Sequence, residues 1–312
     1  MDHLSFVFPL LLIVSVTTTT FGSAIKAKNP SGEELEEQRS DPELRLYPKM
    51  APNHKSLLKE SSIASASDQG QKFKRVVTSG CQGDNCPKSS NITPDVFRPT
   101  SCLDYLIKEA SKCGIYRLYD NAGNSFPAYC DLKSEPGTAW TLVMSWSTQY
   151  RSLPAFQVTP LKINAPVNEN SHNWKLYRLS LARMRSLQSH STHWRATCSF
   201  PTHGVDFIDY VRGTLKDLNI IDYSGSNICK RVEYINIRGH IGIQQTVPFW
   251  QGSKVNEFPL HTDSSFTTCE FKPNSGSVSL EDNFGYYSVV NSKFRCTEGG
   301  DSSTQWWFGA HL

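Results

Sequence analysis

The chain has 312 residues, 38% of them hydrophobic and 20% charged, with a net charge of +3 at pH 7. So small a positive charge does not suggest a nucleic-acid partner, and we expect none. After the N-terminus no stretch is long and apolar enough to span a membrane, so we expect no membrane span.

The first 24 residues predict secretion. Leu4 to Val16 is apolar apart from two serines and one proline, and Gly22-Ser23-Ala24 follows soon after it. A helix of that length is too short to cross a bilayer core of about 30 Å. The pattern is typical of a signal peptide over residues 1–24, although Met1-Asp2-His3 lacks the usual basic residue. A buried core helix is the alternative. We expect a secreted, extracellular protein.

Residues 25–97 are predicted to be a disordered pro-region or linker. The stretch 25–79 mixes charges of both signs, has Tyr47 and Phe73 as its aromatic residues, and lacks cysteine. Such a segment cannot bury enough apolar surface to offset the entropy of ordering it. All seven tryptophans lie between 140 and 312, so the core is expected in a domain spanning 98–312.

Two processing signals fall in the linker. Lys72-Phe73-Lys74-Arg75 resembles the basic site cut by furin-like proprotein convertases, which makes Lys74 and Arg75 a candidate cleavage site. Asn91 begins the one standard N-glycosylation sequon and predicts a glycoprotein. Pro94 follows the sequon directly and lowers its expected occupancy.

The nine cysteines predict a disulfide framework, because the expected compartment is oxidising. An odd total leaves at least one thiol free or paired with another chain. No CxxC pair has zinc-finger spacing, so a metal interpretation is weak. Cys81 and Cys86 flank a Gly-Asp-Asn loop that closes either as a small ring or through two interchain bridges.

Residues 125–146 predict two strands joined by a turn. Apolar side chains recur at every second position from Phe126 to Leu132 and again from Trp140 to Trp146, on either side of Pro136-Gly137. Cys130 lies on the inward face of the first strand, as a small hydrophobic residue or as half of a disulfide. Further on, Ile235 to Ile243 alternates similarly and predicts one long strand, bulged at Gly239.

From Ser101 the chain resembles the fibrinogen C-terminal domain. Cys102 starts the pattern, Gly114-Ile115-Tyr116 matches its first strand, and Phe126 to Asp131 matches its second. The likeness extends in order over 98–312 but is close only in the first 45 or so residues. It implies an α+β fold, a twisted and mostly antiparallel sheet with short helices, long loops and disulfide staples. Similar truncated domains occur in secreted cnidarian proteins, including those of coral skeletal organic matrix.

The resemblance implies a disulfide between Cys102 and Cys130, which would stabilise the domain by on the order of 3 kcal/mol. We also expect Cys198 to pair with Cys229 and Cys269 to pair with Cys296. Cys113 lies where the family has a small residue and is the candidate free thiol.

Calcium is the one cofactor that the resemblance implies, but the Asp-x-Asp cluster of that site is not evident, and we assign no metal ligands. The candidate acids lack the spacing; they are Asp263, Glu270, Glu281, Asp282 and Asp301. Glu281 and Asp282 are adjacent, so on a strand they point to opposite faces and do not form an acid–base pair.

Trp306 and Trp307 form the candidate ligand pocket. Gln305 to Phe308 resembles the family's Gly-Gly-Trp-Trp-Tyr, which borders its ligand site. Adjacent aromatic residues on a strand cannot all face the core, so at least one is expected to be exposed or to line a pocket. The alternative is that both complete the hydrophobic core.

The remaining motifs do not predict catalysis. GxSxG, HExxH and cysteine-protease signatures are missing, so we expect no enzyme. His190 and His193 could approach a metal, but a polar loop is the simpler interpretation. A basic cluster on an amphipathic-looking helix, either a solvated face or a site for sulfated glycans, comprises Lys175, Arg178, Arg183 and Arg185.

We therefore expect a lectin-like extracellular recognition module that binds glycans or acetylated groups. The alternative is a structural extracellular or biomineral matrix protein that is cross-linked by disulfides. In that case Cys81, Cys86 or Cys113 would join copies of the chain into homo-oligomers or join it to other matrix proteins.

Overall fold

The computed structural model describes residues 97–312. Several predictions lie outside the described residues: the expected signal peptide over 1–24, the expected disordered linker apart from residue 97, the cleavage site at Lys74 and Arg75, the cysteines Cys81 and Cys86, and the sequon at Asn91. Within that range the fold is α+β, mostly antiparallel sheet with short helices, as expected. None of its helices is long and apolar enough to cross a membrane.

The helices are short. They are α1 (Cys102–Ile107), α2 (Pro154–Gln157), α3 (Leu181–Ser189) and α4 (Phe200–His203). The strands of the first half are β1 (Gly114–Tyr119), β2 (Ser125–Asp131), β3 (Thr138–Ser147), β4 (Leu176–Arg178), β5 (His193–Cys198) and β6 (Tyr210–Thr214). Those of the second half are β7 (Gly225–Arg231), β8 (Tyr234–Ile237), β9 (His240–Ile243), β10 (Thr246–Gln251), β11 (His261–Asp263), β12 (Asp282–Asn283) and β13 (Ser303–His311).

Two sheets organise the domain. The larger has the strand order β1-β2-β3-β13-β5-β6-β8-β9, with β4 paired to the far end of β3. The smaller has the order β12-β11-β10-β7. The pairs of named strands in both sheets are antiparallel, and the smaller sheet carries the candidate site described below.

The turn at Pro136-Gly137 separates β2 from β3, as the alternating pattern predicts. The two strands pair at Cys130 and Asp131, and Gly137 has a φ of 76°, a conformation that suits glycine. All ten residues of β3 are buried, because β3 lies inside the sheet and is covered on both faces. The sheet therefore has a two-sided core in its middle.

The second alternating stretch, from Ile235 to Ile243, is a hairpin and not one bulged strand. Arg238 and Gly239 both have positive φ angles and form the turn between β8 and β9. Ile241 and Ile243 are about half exposed on the edge strand. The sequence prediction is wrong here because two hairpin strands that share one alternation of apolar and polar residues look like a single longer strand in the sequence.

A buried ion-pair network connects Arg195 of β5 to Asp131 at the end of β2 and to Glu135 in the turn before β3. The Arg195 guanidinium is fully buried and donates to Asp131 at 2.7 Å and to Glu135 at 2.8 Å. Its planar group lies 4.6 Å from the ring centroid of Trp140 and 4.7 Å from that of Trp307. Burial raises the pKa of Asp131, but the charge of Arg195 and the hydrogen bonds from Arg195 and Ser134 together outweigh it and lower that pKa to about 2.

Three disulfides staple the domain, and two of them correct the expected pairing. Cys102 pairs with Cys130, the bridge that the resemblance implied. Cys198 pairs with Cys296, and Cys229 pairs with Cys269. The expected bond between Cys198 and Cys229 is wrong because Cys198 ends β5 in the larger sheet, whereas Cys229 lies on β7 in the smaller one.

Cys113 is the free cysteine of the described residues. Its thiol donates to Asp131 Oδ1 at 3.2 Å and accepts the Leu132 backbone N–H at 3.4 Å. Partial burial, with the neighbouring Asp131, raises the pKa of the thiol. Cys113 is therefore a less reactive thiol than an exposed one.

Candidate functional site

Trp306 and Trp307 do not form a pocket. Both are completely buried, since β13 is paired on both sides and covered on both faces. Trp306 Nε1 donates to the Phe284 carbonyl at 2.9 Å, and Trp307 Nε1 donates to Thr197 Oγ1 at 3.0 Å. The expectation that one of them is exposed or lines a pocket is wrong, and the alternative, that they complete the core, describes the structure.

A different cavity lies on the smaller sheet, against β10, β11 and β12, and has a volume of about 210 Å³. Aromatic rings, two carboxylates and hydroxyl groups line it. The lining residues are Trp250, Phe258, His261, Asp263, Ser265, Leu280, Asp282, Tyr286 and Ser288. We call it the Asp263–Asp282 pocket.

Strand register places the two aspartates together. Thr262 pairs with Asn283 and Asp263 pairs with Asp282 across β11 and β12. Cross-strand partners share a face, and side chains at i and i+2 also share one, so His261 lies on the same face as Asp263. The three polar groups therefore converge on one side of a short antiparallel pair.

Tyr286 is brought beside His261 by a close backbone approach at Gly285. A Cβ at residue 285 would lie 1.8 Å from the Leu260 carbonyl oxygen, so a side chain there would push the two segments apart. The rings of His261 and Tyr286 are 5.7 Å apart between centroids, and Phe258 packs on Tyr286 at 4.8 Å. Gly285 thus permits the aromatic wall of the pocket.

His261 is buried and uncharged at neutral pH. Its Nδ1 lies 2.7 Å from the Pro259 carbonyl oxygen, which can only accept, so Nδ1 carries the proton and Nε2 presents a lone pair. Burial lowers the pKa of His261 to about 4. Nε2 makes no hydrogen bond within residues 97–312 and lies 3.7 Å from Asp282 Oδ1.

The two aspartates differ in their support. Asp263 accepts hydrogen bonds from Asn227 Nδ2 at 3.1 Å and from the backbone and hydroxyl of Ser265 at 2.7 and 2.6 Å. The Asp282 carboxylate accepts none from the described residues. Burial, then repulsion by Asp263 and Glu281, raises the pKa of Asp282 to about 7.

The rim of the pocket is fixed by a buried ion pair and a disulfide. Arg238 donates to Glu281 and to the Ser275 and Pro273 carbonyls. Glu281 also accepts from Asn291 Nδ2 at 2.6 Å, so this carboxylate is fully used as a structural group. The Cys229–Cys269 disulfide holds the same long loop to β7.

A shallow hydroxyl-rich depression of about 400 Å³ adjoins the pocket and shares Ser265 and Leu280 with it. Its other lining residues are Ser264, Asn274, Ser277, Val278 and Ser279. The two together form an extended groove with an aromatic, acidic end and a polar, uncharged end. Such a pairing offers both ring stacking and hydrogen bonds.

A further cavity of about 330 Å³ lies at the outer edge of the larger sheet, on β1 and β2. It is lined by Ile115, Tyr116, Arg117, Ser125, Phe126 and Pro127. Only Phe126 of that set is buried, and no buried polar side chain faces the space. We take the Asp263–Asp282 pocket as the candidate site because it combines buried polar groups with aromatic walls.

The basic cluster does not form one helix face. Arg178 ends β4, is completely buried and donates to four backbone carbonyl oxygens, those of Ala155, Thr159, Pro160 and Ile163. Lys175 precedes β4 and pairs with Asp301, whereas Arg183 and Arg185 lie on α3 and pair with Glu169 and Asp222. The predicted helix is wrong for the first two residues, and the cluster is divided among structural roles.

The other candidate acids and histidines are also apart from the pocket. Glu270 accepts from the backbone of Thr246, and Asp301 is an exposed partner of Lys175. His193 packs against His311 with ring centroids 4.6 Å apart. Over residues 97–312 no three acidic, histidine or cysteine side chains are grouped as ligands of a metal ion.

The comparisons with known proteins add no identification: no protein-family model matches the chain, and a search of curated proteins finds no significant relative.

Sequence reasoning identified Asp263 and Asp282 as acids but missed Trp250, Phe258, His261 and Tyr286. The one local signal is the spacing of His261 and Asp263, two polar groups on one face of a strand. Their meeting with Asp282 depends on the long loop between β11 and β12, whose path the local pattern does not predict.

Proposed function

We propose that this chain is a secreted, non-enzymatic recognition protein that binds sugars of extracellular glycans in the Asp263–Asp282 pocket. The resemblance to fibrinogen C-terminal domains supports a recognition role. One observation carries the proposal: a cavity with aromatic walls and two carboxylates opens beside a hydroxyl-rich depression. Sugars use both kinds of surface, stacking their apolar faces on rings and directing hydroxyl groups to polar atoms.

Binding to an array of extracellular glycans, made with the secreted chain from a disulfide-competent host, tests this proposal. Phe258→Ala removes a rim ring and should abolish the retained signal. Phe207→Ala is the matched control, because Phe207 is 40% exposed, close to the 36% of Phe258, and does not line the pocket. Equal binding by both variants, or no glycan bound by the native chain, would overturn the proposal.

The alternative, a disulfide-linked matrix protein, rests on the free thiol of Cys113. It predicts multimers on a non-reducing gel that collapse to a monomer on reduction. Cys113→Ser should abolish those multimers if Cys113 forms the bridge. A monomeric native chain under oxidising conditions would exclude cross-linking through this residue.

A further inference from the structure

We propose that the Asp263–Asp282 pocket selects a sugar that carries a free, protonated amine and rejects the N-acetylated form of the same sugar. This inference rests on the proposed function and specifies its ligand. Three features of the pocket support it: its acidic groups, the His261 Nε2 atom that makes no hydrogen bond within residues 97–312, and its aromatic walls.

The pocket concentrates hydrogen-bond acceptors without a basic partner. Asp263 and Asp282 face each other across β11 and β12, and neither forms an ion pair with a lysine or arginine of residues 97–312. The lining side chains include no lysine or arginine. Like charges directly opposite each other in an antiparallel pair are unfavourable, so a bound cation would relieve the repulsion.

His261 is a second indication of a ligand, independent of the two aspartates. Its residue surface is 2% exposed, Nδ1 is already bonded to Pro259, and Nε2 has no hydrogen-bond donor from the described residues. Nε2 lies 3.7 Å from Asp282 Oδ1, and both residues line the cavity. Nε2 is therefore an acceptor without a donor from the described residues on a side chain that is otherwise buried, and an ammonium group supplies a donor for it.

The walls suit an organic cation. Trp250 packs on Phe258 with centroids 5.1 Å apart, and Phe258 packs on Tyr286, so three rings border the space beside the carboxylates. Aromatic faces attract ammonium groups by the ring quadrupole, most strongly where water is displaced. An ammonium has three N–H donors for the three acceptors that Asp263, Asp282 and His261 present.

An acetylated amine lacks this match. Acetylation removes the positive charge, leaves one N–H donor and adds a carbonyl oxygen that would face two carboxylates. A bare metal ion matches the acids but not the apolar rings, and the described acids and histidines are not grouped as metal ligands. We therefore favour the amine, and metal binding becomes an outcome of the test.

Titration calorimetry of the secreted full chain at pH 7 tests the inference with a matched pair of ligands. The β-1,4-linked tetramer of glucosamine and the tetramer of N-acetylglucosamine differ only in acetylation. We expect the glucosamine tetramer to bind at least tenfold more tightly. Tighter or equal binding of the acetylated tetramer would overturn the inference and leave the proposed function standing. Binding of neither tetramer, with no other glycan retained on the array, would overturn both.

Variants show whether the amine lies between the aspartates. Asp282→Asn keeps the shape of the side chain and removes its charge. It should weaken binding of the glucosamine tetramer by about 10- to 100-fold, the range for loss of a charge-assisted hydrogen bond. Asp301→Asn is the control for general electrostatic attraction, because Asp301 is exposed and does not line the pocket. Equal weakening by the two variants would overturn the assignment.

Calcium chloride and zinc chloride, each titrated alone, complete the experiment. Stoichiometric metal binding that is lost in Asp282→Asn and that displaces the glucosamine tetramer would overturn the inference in favour of a metal site. Unchanged tetramer binding in the presence of EDTA supports it.

Discussion

Asp263 and Asp282 lie directly opposite each other in the β11–β12 pair, and no lysine or arginine of residues 97–312 forms an ion pair with either. Three other buried acids are matched by arginine: Asp131 and Glu135 by Arg195, and Glu281 by Arg238. A fourth, Asp209, accepts the backbone N–H groups of Arg238 and Arg295. Asp282, whose carboxylate accepts no hydrogen bond from the described residues, is therefore an exception among the acids of the domain interior. It is expected where a ligand completes a site.

The pH dependence of the free energy of unfolding should reveal the raised pKa of Asp282. Asp282 has a pKa of about 7 in the folded chain, against about 3.9 for an unperturbed aspartate, so the folded state keeps a proton that the unfolded state releases. Its contribution to the free energy of unfolding is largest at low pH and is lost as the pH rises to about 7. From pH 5 to pH 8 this loss should be about 2 to 3 kcal/mol.

Denaturant unfolding of the native chain and of Asp282→Asn at pH 5 and pH 8 measures this effect. The native chain should lose more stability than the variant over that interval. The comparison is needed because His261, whose pKa is lowered to about 4, has the opposite slope below about pH 6.5. Of the charged neighbours, Asp263 and Glu281 remain in both proteins. Parallel profiles would contradict the raised pKa of Asp282.

Mutation should distinguish Trp307, a tryptophan of the core, from Trp250, a tryptophan of the pocket wall. Trp307→Ala empties a fully buried site and should lower the free energy of unfolding by about 3 to 5 kcal/mol. Trp250→Ala acts on a half-buried ring of the pocket wall and should reduce sugar binding with a smaller effect on stability. Chemical unfolding and calorimetry of both variants measure the two effects. A stable Trp307→Ala variant with lost binding would restore the tryptophan-pair site.

The buried ion pairs of Arg195 should be essential to the core. Arg195→Met leaves Asp131 and Glu135 buried without their cation, which should cost about 3 to 5 kcal/mol. Arg185→Met removes an exposed ion pair with Asp222 and should cost less than about 1 kcal/mol. Urea midpoints compare the two variants. Equal midpoints would show that the Arg195 pairs contribute no more than a surface contact.

Disulfide connectivity is directly measurable. A non-reduced proteolytic digest should yield peptides that link Cys198 to Cys296 and Cys229 to Cys269. The first bridge closes the longest loop, 98 residues apart in sequence, and its removal should cost about 5 kcal/mol in the chain-entropy account. Peptides linking Cys198 to Cys229 would contradict the arrangement of the two sheets.

The sequence was informative where structure is local. Alternation around Pro136-Gly137 predicts the β2–β3 hairpin, because period-two patterning and turn chemistry act within a few residues. The burial of Trp306 and Trp307 is not determined locally, since it depends on the pairing of β13 with both β3 and β5. The sequence shows two adjacent aromatic residues but not that both faces of their strand are covered.

The candidate site was predicted only in fragments for the same reason. Asp263 and Asp282 are visible as acids, but their meeting requires the intervening loop to fold back, held by Arg238 and the Cys229–Cys269 bridge. The predicted cysteine pairing was wrong for the same reason. The pairing depends on which strands are neighbours and not on which cysteines are close in sequence.

The most direct test of a ligand site at the Asp263–Asp282 pocket is hydrogen–deuterium exchange of the full chain with and without saturating glucosamine tetramer. If the tetramer binds there, we expect slower exchange in peptides that cover 258–265 and 280–288, with little change in β1 and β2. Protection confined to other segments, such as the cavity at 115–127, or no protection at saturation, would contradict it.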